Sequence, residues 1–92
     1  MRIKVGTAKV SGRISNSLDK ALAIELHARS NNAGPVYFGE SDVGETKGRE
    51  FMPGEAITLK FSDLSADGSV EMRFFFVKLV GGDKIDWTAI LQ

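Results

Sequence analysis

The chain has 92 residues, of which 42% are hydrophobic and 26% are charged, a composition typical of one globular domain. Lys and Arg total 12, as do Asp and Glu, so a net charge of zero argues against a nucleic-acid or membrane partner. The sequence has no Cys and no apolar run that fits a signal core or a membrane span. We therefore expect a protein that is made and kept in a cytoplasm, unless an assembled particle carries it out.

The first predicted element is a strand near the start of the chain. From about Arg2 to Val10, Ile3 and Val5 alternate with polar or small residues, a period of two that is typical of a strand with one buried face. The Ser-Gly pair at 11–12 ends this alternation. We therefore predict a half-buried first strand.

The segment from Leu18 to Arg29 fits two structures. As a helix it places Leu22 and Leu26 on one stripe, whereas as a strand it places Leu22, Ile24 and Leu26 on one face. We favour a strand over residues 20–29, because every alternating position is apolar and a helix would leave Ile24 on its polar side. A helix is the alternative.

The stretch 31–55 is dense in turn-forming residues and is predicted to be scaffold rather than a reaction centre. Asn tolerates the left-handed region, Gly reaches positive φ and Pro fixes φ, so the chain reverses before a short strand at 36–38. The Pro-Gly pair at 53–54 predicts a type II turn. We assign six residues to backbone geometry and not to a ligand: Asn32, Gly34, Pro35, Gly39, Pro53 and Gly54.

The turn pattern, N-x-G-x-V-Y-x-G-x-S-x-V from residue 32 and P-G-E from residue 53, resembles that of small virion proteins of tailed bacteriophages and prophages. The resemblance runs from about Ala21 to the C-terminal residue. It implies an all-β, non-enzymatic structural protein, either a capsid decoration (cement) protein or a neck or tail accessory protein. It also implies a homotrimer that contacts capsid or tail proteins in the virion after synthesis in the bacterial host cytoplasm.

The last third of the chain predicts three further strands, at about 56–61, 70–79 and 85–91. The first and last of these alternate cleanly, and Trp87 is assigned to the core. With turn signals about every ten residues, the sequence predicts an all-β fold: a small antiparallel sandwich or barrel of six to seven strands.

The strand at 70–79 is apolar on both faces, which leads us to predict an interface. If Phe74 and Phe76 point into the core with Met72, Phe75 and Val77 point away from it and leave an apolar patch for another subunit. A β-bulge near Phe76 and Val77 that returns Val77 and Leu79 to the core is the alternative, and the two can coexist. The candidate residues for a subunit or particle interface are Tyr37, Phe38, Phe75 and Val77.

The sequence offers weak signals for a ligand. D-x-S-x-D-G at 63–68 copies the first half of a calcium loop, but Phe74 occupies the position of the bidentate carboxylate, so a hairpin turn is favoured. His27 is the single histidine and is expected on the solvent side of its strand. We predict no cofactor, no metal and no catalytic residue. A small carbohydrate-binding module is the alternative function, with Tyr37 and Phe38 beside the polar loop 40–50.

Overall fold

The computed structural model describes residues 2–44, 46–61 and 68–92. Within these residues the chain forms nine strands and one short 3₁₀ turn, Met72–Phe74, and no α-helix. The strands are β1 (Arg2–Ala8), β2 (Gly12–Arg13), β3 (Lys20–Ala28), β4 (Val36–Gly39), β5 (Arg49–Phe51), β6 (Ala56–Lys60), β7 (Val70–Glu71), β8 (Phe76–Lys78) and β9 (Ile85–Leu91). No helix in the described part of the chain is long and apolar enough to span a membrane.

The strands form two antiparallel sheets. One sheet has the order β1-β9-β3-β6, with β7 pairing at the start of β3, and the other has the order β2-β8-β4-β5. Both sheets have open edges, so the fold is a sandwich and not a closed barrel. The predicted all-β class is confirmed. The strand number was underestimated because β2, β5 and β7 have only two or three residues each, too few to show an alternating pattern.

The hydrophobic core lies between the two sheets. Alternate residues of β9 supply much of it, with Ile85, Trp87, Ala89 and Leu91 all buried. The opposite sheet contributes buried side chains from β4 and β8. Full burial of a large aliphatic or aromatic side chain is worth about 1.5–3 kcal/mol, so this shared core is the main source of stability.

The structure confirms a strand in the ambiguous segment. β3 is the central strand of its sheet and pairs with both β9 and β6. The pairing with β9 shifts register between Ala21 and Ala23, so Ala21 and Ile24 are both buried while Leu22 is partly exposed. This irregularity explains why Leu22 lies outside although it fits the alternation.

The predicted strand at 70–79 is interrupted by the 3₁₀ turn. A 3₁₀ turn does not preserve the two-residue alternation of a strand, so the sides on which the following residues lie are exchanged. Phe74 is 53% exposed, whereas Phe75 and Val77 are buried in the core cluster. The assignment of Phe74 and Phe76 to the core is therefore wrong, and so is the exposed interface at Phe75 and Val77. The alternative is correct in returning Val77 and Leu79 to the core, although a 3₁₀ turn and not a β-bulge near Phe76 changes the register.

Candidate interaction surface

The outer face of the five-stranded sheet carries an apolar patch near β1. Ile3 and Val5 project from this face and are 66% and 70% exposed. Ile3 pairs with Ile90 on β9, and Ile90 pairs with Ala23 on β3, so these three side chains form one row across the sheet. We call Ile3, Val5, Ala23 and Ile90 the outer patch.

Gly6 determines which side of β1 faces the core. It pairs with Trp87, and a Cβ atom placed on Gly6 would come within 2.5 Å of the indole Cζ2 atom. The indole therefore requires a residue without a side chain at this position. Because neighbouring residues of a strand face opposite sides, Ile3 and Val5 then face outward. Alternation alone indicated that these two residues would be buried, and this expectation is wrong.

A shallow groove of about 140 Å³ continues the apolar surface beyond Ile90. It lies over β3, β6 and β9 on the same outer face. Its lining is largely apolar, with threonine methyl groups and one carboxylate at the margin: Ala23, Ile24, Glu25, Thr58, Thr88 and Ile90. The outer patch and this groove together form the candidate interaction surface.

The polar end of the same face is held by an ion pair. Arg29 donates two hydrogen bonds to Asp86, each 2.9 Å long, and the Thr7 hydroxyl donates a third of 2.7 Å. The hydrogen bond from Arg29, followed by that from Thr7, holds the pKa of Asp86 below its usual value. His27 is exposed on β3, as predicted. Arg29, Asp86 and Thr7 therefore form a polar cluster at the end of the outer face.

The outer face of the four-stranded sheet has a different chemistry. The Arg13 guanidinium lies 5.4 Å from the centroid of the Phe76 ring, a cation–π contact. Lys78 and Glu50 pair with Tyr37 from its two sides and are both exposed. Charged side chains dominate this face, so the two outer faces of the sandwich are not equivalent.

Asn32, one of the predicted turn residues, bonds to the backbone of a second loop. The Asn32 side chain accepts a hydrogen bond of 2.8 Å from the Lys84 amide and donates one of 2.9 Å to the Lys84 carbonyl. Next to it, the buried carboxylate of Asp83 accepts hydrogen bonds from the amides of Ala33, at 2.7 Å, and Gly34, at 3.3 Å. Two loops distant in sequence are thereby tied together. Sequence reasoning missed Asp83, for which the available signal is an aspartate directly after a Gly-Gly pair at 81–82.

The chain makes a tight turn at Pro53 and Gly54. Gly54 has φ of +88° and the Glu55 amide donates to the Met52 carbonyl at 3.0 Å, as a type II turn requires. Gly39 has another role, because a Cβ atom there would lie 3.3 Å from the Cα atom of a neighbouring glycine. These glycines serve turn geometry and close packing.

Three of the four residues predicted as an interface are buried in the core, and only Tyr37 lies on an outer face. Phe38 and Phe75 contact each other in the core with ring centroids 5.6 Å apart, and Val77 is buried beside them. Tyr37 is on the outer face but only 8% exposed. It lines a groove of about 250 Å³ together with Ala33, Gly34, Pro35, Val80 and Asp83.

The candidate calcium sequence lies almost entirely in residues 62–67, outside the described residues. Within the residues that are described, no group of three or more His, Asp or Glu side chains is arranged to hold a metal ion.

The sequence matches no family model, and it matches no curated protein. The fold is similar to that of a de novo designed double-stranded β-helix determined by solution NMR, with a TM-score of 0.53 over 100% of both chains. The sequence identity is 14%, so this similarity describes the fold alone.

Proposed function

We propose that this protein is a non-enzymatic structural component of a larger assembly, which associates with itself and binds a particle surface through the outer patch. The sequence resemblance suggests that the particle is the virion of a tailed bacteriophage and that the role is capsid decoration. A neck or tail accessory role is the alternative. The observation that carries the proposal is the exposure of Ile3 and Val5 next to Ile90.

Ile3 and Val5 are adjacent on the surface of the protein. Single exposed apolar residues such as Val80 are ordinary on protein surfaces. Ile3 and Val5 lie on one face of one strand and continue into a row on the neighbouring strands, which makes a contiguous patch. Complete burial of each side chain would contribute about 1.5–3 kcal/mol, and a domain of this size gains stability from a covering subunit.

On this proposal the partners are other copies of the chain and capsid or tail proteins, and neither nucleic acid nor a membrane is involved. A net charge of zero suits recognition by apolar contact rather than by long-range attraction. The protein would be synthesised in the bacterial cytoplasm and would remain in the virion.

The test is a pair of charge substitutions at apolar positions of similar exposure. Val5→Asp places a charge within the outer patch, whereas Val80→Asp places the same charge in an exposed loop outside it. We expect sedimentation velocity to show that Val5→Asp dissociates the oligomer into folded monomers, while Val80→Asp leaves the oligomer intact. Binding to capsids that lack the protein should be lost in the first variant only. A wild-type protein that stays monomeric and binds no particle would rule the proposal out.

A carbohydrate-binding module is a second candidate function, because a groove lies beside Tyr37 on the outer face of the four-stranded sheet. The groove has a volume of about 250 Å³ and an aromatic residue in its wall. However, Tyr37 exposes little of its ring for stacking on a sugar, and the Asp83 carboxylate already accepts two backbone hydrogen bonds. A glycan array would decide, since binding that is lost in Tyr37→Ala and kept in Val5→Asp would favour this function.

A further inference from the structure

We propose that β1 pairs with β1 of a second copy, antiparallel and about a two-fold axis at Val5, so that two five-stranded sheets join into one. This inference rests on the self-association proposed above and specifies its geometry. It follows from three properties of β1: a free edge, cations that are already paired, and one register that suits self-pairing.

The edge of β1 is unoccupied in the described part of the chain. β1 is the end strand of its sheet and pairs only with β9. No other backbone hydrogen bond joins residues 2–8 to a described segment. With seven residues it is also the longest of the strands that have a single partner among the described residues, since β6 has five, β5 has three and β2 and β7 have two each. A long edge strand with unpaired backbone groups is a site for strand addition.

The other edges carry features that discourage pairing. β6 exposes Lys60, and β5 exposes Arg49 and Glu50 in a strand of only three residues. Lysine, other charges and short length are the devices by which edge strands avoid association. β1 instead presents Ile3 and Val5 on its outer face.

β1 does contain two cations, but both lie near one carboxylate. Asp19 Oδ1 is 3.5 Å from Arg2 Nη2, and Asp19 Oδ2 is 4.0 Å from Lys4 Nζ. All three groups are solvent-exposed to a substantial degree, so the pairs are weak as a source of stability. They nevertheless lower the net positive charge that two copies of β1 would bring together.

The register follows from symmetry and charge. A two-fold axis perpendicular to the sheet pairs residues whose numbers add to an even sum, because paired side chains must share a face. A sum of ten places Val5 opposite Val5 and Ile3 opposite Thr7 of the second copy. This register overlaps all seven residues of β1, from Arg2 opposite Ala8 onward, and no cation faces a cation.

Neighbouring registers are poorer. An axis at Lys4 places the two Lys4 side chains opposite each other, and an axis at Ile3 places Arg2 opposite Lys4 of the second copy. Like charges directly opposite each other are destabilising in antiparallel pairs. An axis at Gly6 avoids this, but Ile3 then lies opposite Lys9, which is outside β1. Val5 is therefore the favoured centre, and the contact predicts dimers.

The natural absence of cysteine permits a direct test by cross-linking. Residues directly opposite in an antiparallel pair have Cβ atoms about 4.5–5.5 Å apart, close to the span of a disulfide. Val5→Cys should therefore give a covalent dimer as the major species on oxidation or with a short bismaleimide, while the matched variant Val80→Cys should not. Ile3→Cys alone should not cross-link, but a mixture of Ile3→Cys and Thr7→Cys should give the mixed dimer.

The outcomes separate this inference from the proposed function. Efficient cross-linking of Ile3→Cys with itself, or equal cross-linking of Val5→Cys and Val80→Cys, would overturn the Val5-centred pairing. A trimer, as the sequence resemblance implies, that does not cross-link at Val5 would overturn it while leaving self-association in place. A wild-type protein that is monomeric at all concentrations and does not bind particles would overturn both.

Discussion

The ring of Phe75 stacks on the ring of Phe61, with centroids 5.2 Å apart and planes inclined by 18°. This contact joins the residue that follows the 3₁₀ turn to the residue that follows β6, and both rings belong to the core. Phe74, the preceding residue, points to solvent and lies beside the Arg73 guanidinium at 5.0 Å. Adjacent phenylalanines thus have opposite environments.

Phe75→Ala should lower the free energy of unfolding by about 3–5 kcal/mol, because it removes a buried aromatic ring and leaves a cavity. Phe74→Ala should change it by less than about 0.5 kcal/mol, since its ring is largely exposed. Urea denaturation followed by circular dichroism measures both. Phe75→Leu serves as a milder variant if Phe75→Ala does not fold. Equal stability of the two alanine variants would contradict the burial of Phe75.

Alternation identified the strands wherever they run without interruption. In β9 every second residue from Ile85 to Leu91 is buried, as the sequence indicates. The prediction failed after Met72 because a three-residue turn leaves no strong sequence signal and yet exchanges the two sides of the strand. The orientation of β1 depends on the fit of Gly6 to Trp87, a contact across 81 positions that no local pattern reveals. The outer patch could not be found for the same reason.

Gly6→Ala should lower the free energy of unfolding by about 1–3 kcal/mol, because its methyl group would overlap the indole of Trp87. Gly82→Ala is the matched control, since a Cβ atom there contacts nothing within 4 Å. Trp87 is the only tryptophan, so the wavelength of its fluorescence should shift in the first variant alone. Unchanged fluorescence and stability in Gly6→Ala would show that β1 can move away without cost.

Gly54→Ala should lower the free energy of unfolding by about 1–3 kcal/mol, because Gly54 has φ of +88°, where a Cβ atom is strained. Gly34→Ala should not lower it, because Gly34 is outside the positive-φ region and its Cβ position is open. Loss of chain entropy in the unfolded state even favours this alanine by about 0.4–1 kcal/mol. Thermal unfolding of the two variants side by side is the measurement, and a larger loss in Gly34→Ala would be the opposite of this expectation.

Asp83→Ala should lower the free energy of unfolding by about 1–3 kcal/mol, because the amides of Ala33 and Gly34 lose their acceptor. Asp83→Asn retains one carbonyl oxygen and should lose less. Hydrogen exchange of these two amides gives a local readout, and it should accelerate most in Asp83→Ala. If exchange stays slow in that variant, the two loops are held together by other contacts.

Asp86 should make the stability of the folded state sensitive to acid. Its folded-state pKa is lowered from 3.8 by the hydrogen bonds from Arg29 and Thr7, so its stabilising contribution is present above that pH and is lost as pH falls through the lower folded value. Asp86→Asn removes this contribution, and its melting temperature should fall less steeply below about pH 4 than that of the wild type. Asp19 and Asp42, whose pKa values are also lowered, remain in both proteins. Parallel melting curves across this range would show that the ion pair is not linked to folding.

The pairing of β1 with β9 also has a kinetic consequence. Thr7 and Asp86 are 79 positions apart, so β1 can join β9 only after the two ends of the chain have come together. Contacts between distant segments are slow to form because the loop between them must close first. During refolding, β1 therefore remains without its neighbour longest, with both of its edges open. High protein concentration at that stage should favour pairing between chains over pairing within one chain.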